Sequence, residues 1–453
     1  MVLPTILSVL LTCSIAFAAT VTPSAYPLAV RNPSLHSWLP GGQAKNIAQQ
    51  QAVFWNGNTL TWQILARVND VTYALFGFPT LPSGVQAAST VSANYTSTHS
   101  YFNLEAPGGE VSFVLDFFSP VNPMNNVDQS MPFSFFTVSV SSSSNAEVQI
   151  FTGIDDTWLA GSGIGARAAR QGRQEAYQLT YESSQDASYL SFTNGSAIPF
   201  TESKNMATWG SIQLGVAGAS AQSSASSGVA SQLQQHFISK GNLDNSVSKN
   251  FLPTSLVALS YDLGRVSSSS VTFAIGNFRS ESLQYTAQTE TTLSAFFTPT
   301  YPTVDAALKY FLGSYARLHS ASLALDAQVR QAASVVSSNL ADMVEASVRQ
   351  AYGASELVID SRNPDLNNPM AILKEISSNG DANSVDVIMP SMPAWLYLSP
   401  KWIKYHLQPY VTYIESGRWT KDFIPHDLGK FPRATKPGSE NMVSWIFRTF
   451  CIA

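Results

Sequence analysis

The sequence predicts a multidomain β-plus-α protein, a β-sandwich-like N-terminal domain followed by helical hairpins, on three observations. From Pro23 to about Pro299, short apolar or alternating runs are cut by turn residues, the pattern of strands packed as two sheets. After "FFTPTYPTVDAA" the apolar spacing changes to steps of three and four residues, the period of an amphipathic helix. A chain of 453 residues, 45% of them hydrophobic, is also long enough to build more than one core.

The chain opens with "MVLPTILSVLLTCSIAFAA", an apolar stretch too short to span a bilayer, ending in the small-x-small pattern Ala16-Phe17-Ala18. It predicts a signal peptide over residues 1–18, a mature chain from Ala19, and export from the cell. The glycosylation triplets at Asn94 and Asn194 agree with that expectation. Cys13 leaves with the signal peptide and Cys451 stays behind alone, so no internal disulfide and no cysteine-held zinc or iron–sulfur cluster is expected. Only 12% of residues are charged, the formal net charge is −5, and the Lys and Arg residues are scattered, which argues against nucleic acid as a partner. No later apolar run is both long enough and free of proline, so no membrane anchor is expected.

Within the β region, "LTWQILARVNDVTYALFGF" predicts a hairpin, because Asn69-Asp70 tolerates the positive φ of a tight turn between two β-rich runs. Further strands are expected in "EVSFVLDFF", "FSFFTVSVS", "AEVQIFTGI", "SYLSFT" and "SVTFAIGNF", with breaks at Pro107-Gly108-Gly109 and at the serines 141–144. The Ser/Ala/Gly-rich "GVAGASAQSSASSGVASQLQQ" predicts a surface loop or a short helix. Beyond it, Val304, Leu308, Phe311, Leu312, Tyr315 and Leu318 mark one helix, and "VVSSNLADMVEASVRQAYG" a second, paired as a hairpin and stopped at Gly353. A third helix is expected after Pro400, kinked or split at Pro409.

Several motifs bear on chemistry. Gly161-Ser162-Gly163-Ile164-Gly165-Ala166 fits a loose dinucleotide fingerprint but lacks the strand before it and the acidic residue after it, so a loop explains the glycines. The serine-hydrolase elbow, the Walker loop and the His-Glu-x-x-His zinc helix are absent. Asp360, Asn363, Asp365 and Asn367 offer oxygens for calcium, in a composition that equally makes an ordinary turn. In "LKEISSNGDANSVDVIMPSMPAWLYLSPKW", Glu375 precedes a polar turn and Asp386 stands among aliphatic residues. A carboxylate so placed must be paired, hydrogen-bonded or shifted upward in pKa, which suits a general acid and equally a capping residue. His426-Asp427 carries the same two readings, proton transfer or a packed cap. His36, His99, His236, His319 and His406 are isolated in the sequence and read as structural or exposed.

"YPLAVRNPSLHSWLPG", "LTWQILARVNDVTYALFG", "VTFAIGNFR", "LDAQVRQAA", "EASVRQAYGA", "LKEISSNGDANSVDVIMPSMPAWLYLSPKW" and "YIESGRWTKDFIPHDLGKFPRAT" occur in one order from about Tyr26 to Thr435. Together they resemble the secreted fungal glutaminase A family. The resemblance implies a β-rich domain over residues 19–298 and, over 299–435, the first part of an (α/α)6 six-hairpin toroid, followed by a divergent tail at 436–453. It also implies extracellular hydrolysis of L-glutamine to glutamate and ammonia without a cofactor or metal. Glu375, Asp386, His426 and Asp427 fall in the family-like motifs and are the expected catalytic residues: Asp427 or Glu375 as base, Asp386 as acid, His426 as substrate or proton-transfer partner. Asn379, Trp395 and Trp419 are the expected substrate contacts. Too few helical patterns follow residue 298 to complete six hairpins, so an uncovered apolar helix face is expected, and with it weak or absent activity. Two alternatives stand beside this reading. One is a glycosidase using a carboxylate pair about 5–10 Å apart, with the tryptophans stacking on sugar. The other is a binding protein without catalysis.

Overall fold

The computed structural model describes residues 21–159, 177–218, 220–251, 255–376 and 379–438. The expected signal peptide, the Gly161–Ala166 glycines, Ser377-Ser378 and Cys451 lie outside them. In the expected hairpin, Asn69 and Asp70 adopt φ of 45° and 70°. This two-residue turn joins strands Trp62–Val68 and Val71–Phe76, with Val68 paired to Val71.

Two long strands organise the β domain. Phe133–Ile154 and Leu256–Phe278 run antiparallel, from the Phe133–Gly276 pair to the Ile154–Val257 pair. Near one end they are flanked by strands Val111–Phe118 and Ser211–Ala217, near the other by Trp62–Val68 and Ser223–Gly228. The inner faces of these leaves share one core, in which Trp62 meets Phe117 and Phe136 edge to face at 5.1 and 5.0 Å.

Two local expectations are corrected. The serines 141–144 do not end a strand; Phe133–Ile154 runs through them, and the irregularity appears only as a register shift between Ser141 and Ala146. The stretch expected to be a loop or short helix does lead into a helix, α1, Ala230–Lys240, but before it holds a strand that was not expected, Ser223–Gly228. Its small residues permit burial: Ala225 and Ser226 are enclosed, and Ser224 Oγ meets Ser260 Oγ at 2.6 Å.

The helical half starts at α2, Val304–Gly313, where Thr303 Oγ1 accepts from Ala306 N at 3.2 Å. A break at Ser314 separates it from α3, Tyr315–Ser334, which forms a hairpin with α4, Ser338–Gly353. Two more helices follow, α5 at Val385–Leu398 and α6 at Lys401–Glu415. The α5 helix was not expected, since Pro390 and Pro393 lie inside it. Both prolines are exposed, while Val385, Ile388 and Trp395 bury the opposite face, so packing overrides propensity. In α6, Pro409 does not split the helix, and its carbonyl accepts a 2.6 Å hydrogen bond from Tyr285 OH. Among the described residues, no helix is long and apolar enough to cross a membrane.

Two features tie the halves together. A five-stranded sheet runs in the order Met370–Leu373, Ser355–Asp360, Glu290–Ala295, Glu281–Thr286, Arg433–Ala434, drawing strands from both sides of residue 298. Arg349 of α4, fully buried, donates from Nη2 to the carbonyls of Thr96 and His99 at 2.8 and 2.7 Å and from Nε to that of Ser97 at 3.1 Å. One turn further along α4, a Cβ on Gly353 would come within 2.4 Å of Val30 Cγ1 in the first strand, Ala25–Asn32. Gly353→Ala is therefore expected to cost about 1–3 kcal/mol in denaturant unfolding by pushing α4 off the sheet.

An apolar cleft of about 550 Å³ lies between α3, α4 and α5, lined by Val329, Val344, Val348, Val387, Ala394 and Leu398 among others. Met343 on α4 and Leu396 and Tyr397 on α5 are exposed.

Candidate active site

The loop 379–385 and the loop 426–431 cross-pair through their backbones. Ala382 N donates to Gly429 O at 2.6 Å, Leu428 N to Ala382 O at 2.9 Å, and Val385 N to His426 O at 2.9 Å. Gly429, at φ +118°, is required here: a Cβ would lie 2.7 Å from Lys436 O and 2.9 Å from Arg433 O. This knot brings together residues more than forty positions apart in the chain.

At its centre, His426 Nδ1 is 3.1 Å from Asp427 Oδ2, and Nε2 is 3.5 Å from Asp386 Oδ1. Asp427 is buried and rigidly held, its Oδ1 accepting from Gly429 N at 2.8 Å and Gly438 N at 2.7 Å. Asp381, also buried, lies 2.6 Å from Lys430 Nζ in an ion pair. Burial of His426 works against its charged form, but the hydrogen bond to Asp427 and the charges of Asp386, Asp427 and Asp381 outweigh it. The imidazole is held above the ordinary histidine range. The Tyr410 hydroxyl of α6 is pushed well above its usual range by burial and by the neighbouring Asp427 and Asp386 charges.

The expected catalytic residues are thus partly convergent. His426, Asp427 and Asp386 meet. Glu375 is buried and reaches the cluster through its backbone, its N donating to Asp381 O at 2.8 Å. The environment expected for Asp386 is corrected: its side chain is 51% exposed in the first turn of α5 and accepts from Ser384 Oγ at 2.6 Å, because its aliphatic neighbours turn away around the helix. Asn379 is exposed and uses its Oδ1 to accept from Asp381 N at 3.0 Å. Trp395 has no surface to offer a ligand, being fully buried with its ring stacked on His406 at 4.0 Å. Trp419 is likewise packed inward, donating from Nε1 to Phe423 O and meeting the Phe423 ring edge-on. The sugar-stacking argument loses both rings.

Asp381 and Lys430 are the members that sequence reasoning passed over; the only signal was their presence in the same two polar turns. Asp381, His426 and Asp427 could each offer a metal-ligand atom within 4.8 Å of the others. The Asp427 oxygens are engaged by two amides and an imidazole, and Asp381 already faces an ammonium. In the Asp360 loop, Asp360 Oδ1 accepts from Arg362 N and Asp365 Oδ1 from Asn367 N, the turn rather than the calcium arrangement. Of the glycosylation candidates, Asn94 is half-buried on a strand, and Asn194 is buried with Oδ1 turned to Ser196 N at 2.9 Å.

Chemically, this is a carboxylate–imidazole pair with a second, solvent-facing carboxylate on the far ring nitrogen. It can hold a proton on the imidazole and draw one from water. Comparisons with known proteins bear on the family. Residues 98–332 match a domain of unknown function (DUF5127), and residues 337–444 match the glutaminase A six helical-hairpin domain. The chain is 30% identical over 433 residues to glutaminase A of Aspergillus oryzae, covering 91% of this chain and 59% of that protein. It is 29% identical over 466 residues to a protein of Arthroderma benhamiae named as a probable glutaminase, covering 93% of this chain and 51% of that one. The chain therefore spans between half and three-fifths of the length of these curated relatives. A bacterial glucoamylase complexed with acarbose aligns with a TM-score of 0.40 at 6% identity, over 75% of this chain and 42% of that one. With a β-rich domain in front and helices of the six-hairpin domain behind, the chain belongs to the glutaminase A family.

Proposed function

We propose that this chain carries the acid–base centre of an extracellular glutaminase, hydrolysing L-glutamine to L-glutamate and ammonia. The observation that carries the reading is the His426–Asp427 pair with Asp386 on the opposite ring nitrogen. Asp427, fixed by two backbone amides, holds the Nδ1 proton and orients the ring. Asp386, expected from the sequence to be the acid, is open to solvent and takes the part of the base instead: it accepts a proton from water as the water oxygen attacks the side-chain carboxamide carbon. The C–N bond then breaks, and the imidazolium supplies the proton that the departing ammonia needs. No cofactor enters these steps.

The raised His426 value sets the pH behaviour. The acid form is present below the raised pKa and lost as pH rises through it, so the alkaline limb of kcat/KM should lie above the ordinary histidine value of about 6.5. The stabilisation from the imidazolium follows the same sign: complete below about 6.5, and fading as pH passes the folded value. Ammonia release from L-glutamine, measured across pH for the native chain and His426→Gln, tests the reading. His426→Gln should lower kcat by about 10²–10⁴ and abolish that limb. An unchanged profile would remove His426 from the mechanism.

A further inference from the structure

A hairpin of the β domain reaches the loop crossing that holds His426. Its strands, Glu202–Ser203 and Met206–Ala207, are joined by Lys204 and Asn205 at φ of 52° and 60°, the positive values of a tight two-residue turn. The Lys204 carbonyl accepts from Asn56 Nδ2 at 2.5 Å, so the turn is itself held by the β domain. On its other side the hairpin meets the helical half. Lys374 Nζ donates to both Glu202 carboxylate oxygens at 2.7 Å and to the Asn205 carbonyl at 2.8 Å. Arg433 Nε donates to the Phe200 carbonyl at 3.2 Å. A Cβ on Gly380 would stand 3.3 Å from Asn205 Oδ1, so the turn before Asp381 lies directly against the hairpin.

Lys374 is fully buried, and an ammonium so placed is stable only when it is paired. Its three N–H donors match the three oxygens that the hairpin offers. The charge also lies 5.2 Å from the centroid of the Phe431 ring, at the end of the loop that carries His426 and Asp427, and 5.8 Å from that of Trp55. Through its backbone Lys374 is bridged to Ala382, which pairs in turn with Leu428 and Gly429. One residue therefore links the β-domain hairpin to both loops of the crossing. Asp427 can orient the His426 ring only while those loops hold it, and a displacement on the order of 1 Å at a reacting group costs about 10²-fold in rate.

We propose that Lys374, clamped by Glu202, is a positioning residue for the His426–Asp427 pair, so that the β domain completes the catalytic centre. Its consequence for turnover rests on the glutaminase reading above; its consequence for the state of His426 does not. The full-length chain is compared as the native protein, Glu202→Gln, Lys374→Met and the double variant. The readouts are kcat and KM for ammonia release from L-glutamine, the titration of His426 followed by NMR, and urea unfolding. Glu202→Gln should lower kcat about 10- to 100-fold with KM nearly unchanged. It should also bring the His426 titration back toward the ordinary value of about 6.5 as Asp427 loosens. The double variant should be no worse than Lys374→Met, since both act through one contact. A folded Glu202→Gln with native kcat and native His426 titration, changed only in unfolding, overturns the assignment. If the native chain releases no ammonia, the glutaminase reading fails, and the His426 titration still decides the positioning. Should the variants fail to fold, native-state hydrogen exchange in low urea decides it. The Ala382 and Leu428 amides should open with the same free energy as the Thr208 amide, which is bonded to Thr201 O across the hairpin. Opening of the loops while Thr208 stays protected refutes the clamp.

Discussion

Asp427→Asn should reduce kcat for ammonia release from L-glutamine by about 10²–10⁴ while leaving KM nearly unchanged. The change is almost isosteric, so the fold is spared, but the amide cannot accept from the imidazole and both backbone amides as a charged carboxylate does. An asparagine NH₂ turned toward His426 would also reverse the ring tautomer and move the proton to the wrong nitrogen. The pH profile separates this from simple loss of fold: with one of its carboxylate neighbours gone, the alkaline limb should move back toward the ordinary histidine value. A variant with native kcat and an unmoved limb would show that Asp427 only holds the loop together.

Arg349→Met should cost about 3–5 kcal/mol in urea unfolding, the largest stability effect expected at a single position. The guanidinium is 1% exposed, and its donors go to the main-chain carbonyls of Thr96, Ser97, His99 and Pro27. Removing it takes the side-chain donor from the buried carbonyls of Thr96 and Ser97, leaves those of His99 and Pro27 with only Thr96 N and Ser100 Oγ, and removes the cation beside Asp326 and Asp116. Arg349→Lys should recover little of the loss, because one ammonium cannot reproduce a fork that reaches carbonyls from three different nitrogens. Unfolding of Arg349→Met at native denaturant concentrations would show that the seam is held by the apolar contacts alone.

Legibility in the sequence followed the range of the forces involved. The Asn69-Asp70 hairpin was legible because the turn is decided by two residues. The α4 helix was legible because its apolar period survives without knowledge of the rest of the chain, whereas the run from Val304 to Leu318, read as one helix, is divided at Ser314, and the partner of α4 in the hairpin is the stretch after that break. The α5 helix was not, since its prolines argue locally against the helix that the burial of Trp395 enforces. The same holds in the site. His426 and Asp427 are neighbours in sequence and could be paired on sight. Asp381 and Lys430 meet only because two loops cross, and Glu202 and Lys374 only because a hairpin of the β domain reaches that crossing. The tryptophans misled for the converse reason, since an aromatic side chain reads alike whether it faces a substrate or a core.

The five-stranded sheet has a consequence for how this chain assembles on the ribosome. Tyr285 pairs with Ala434, and Gln284 with Arg433, so the strand that closes the sheet is synthesised long after its neighbour. The β domain can condense as soon as its own strands emerge, but the His426 loop cannot be held in place until Arg433 and Ala434 have left the exit tunnel and found that edge. Contacts of such sequence separation form late. The His426 loop should therefore be fixed late, behind a β domain that is already native.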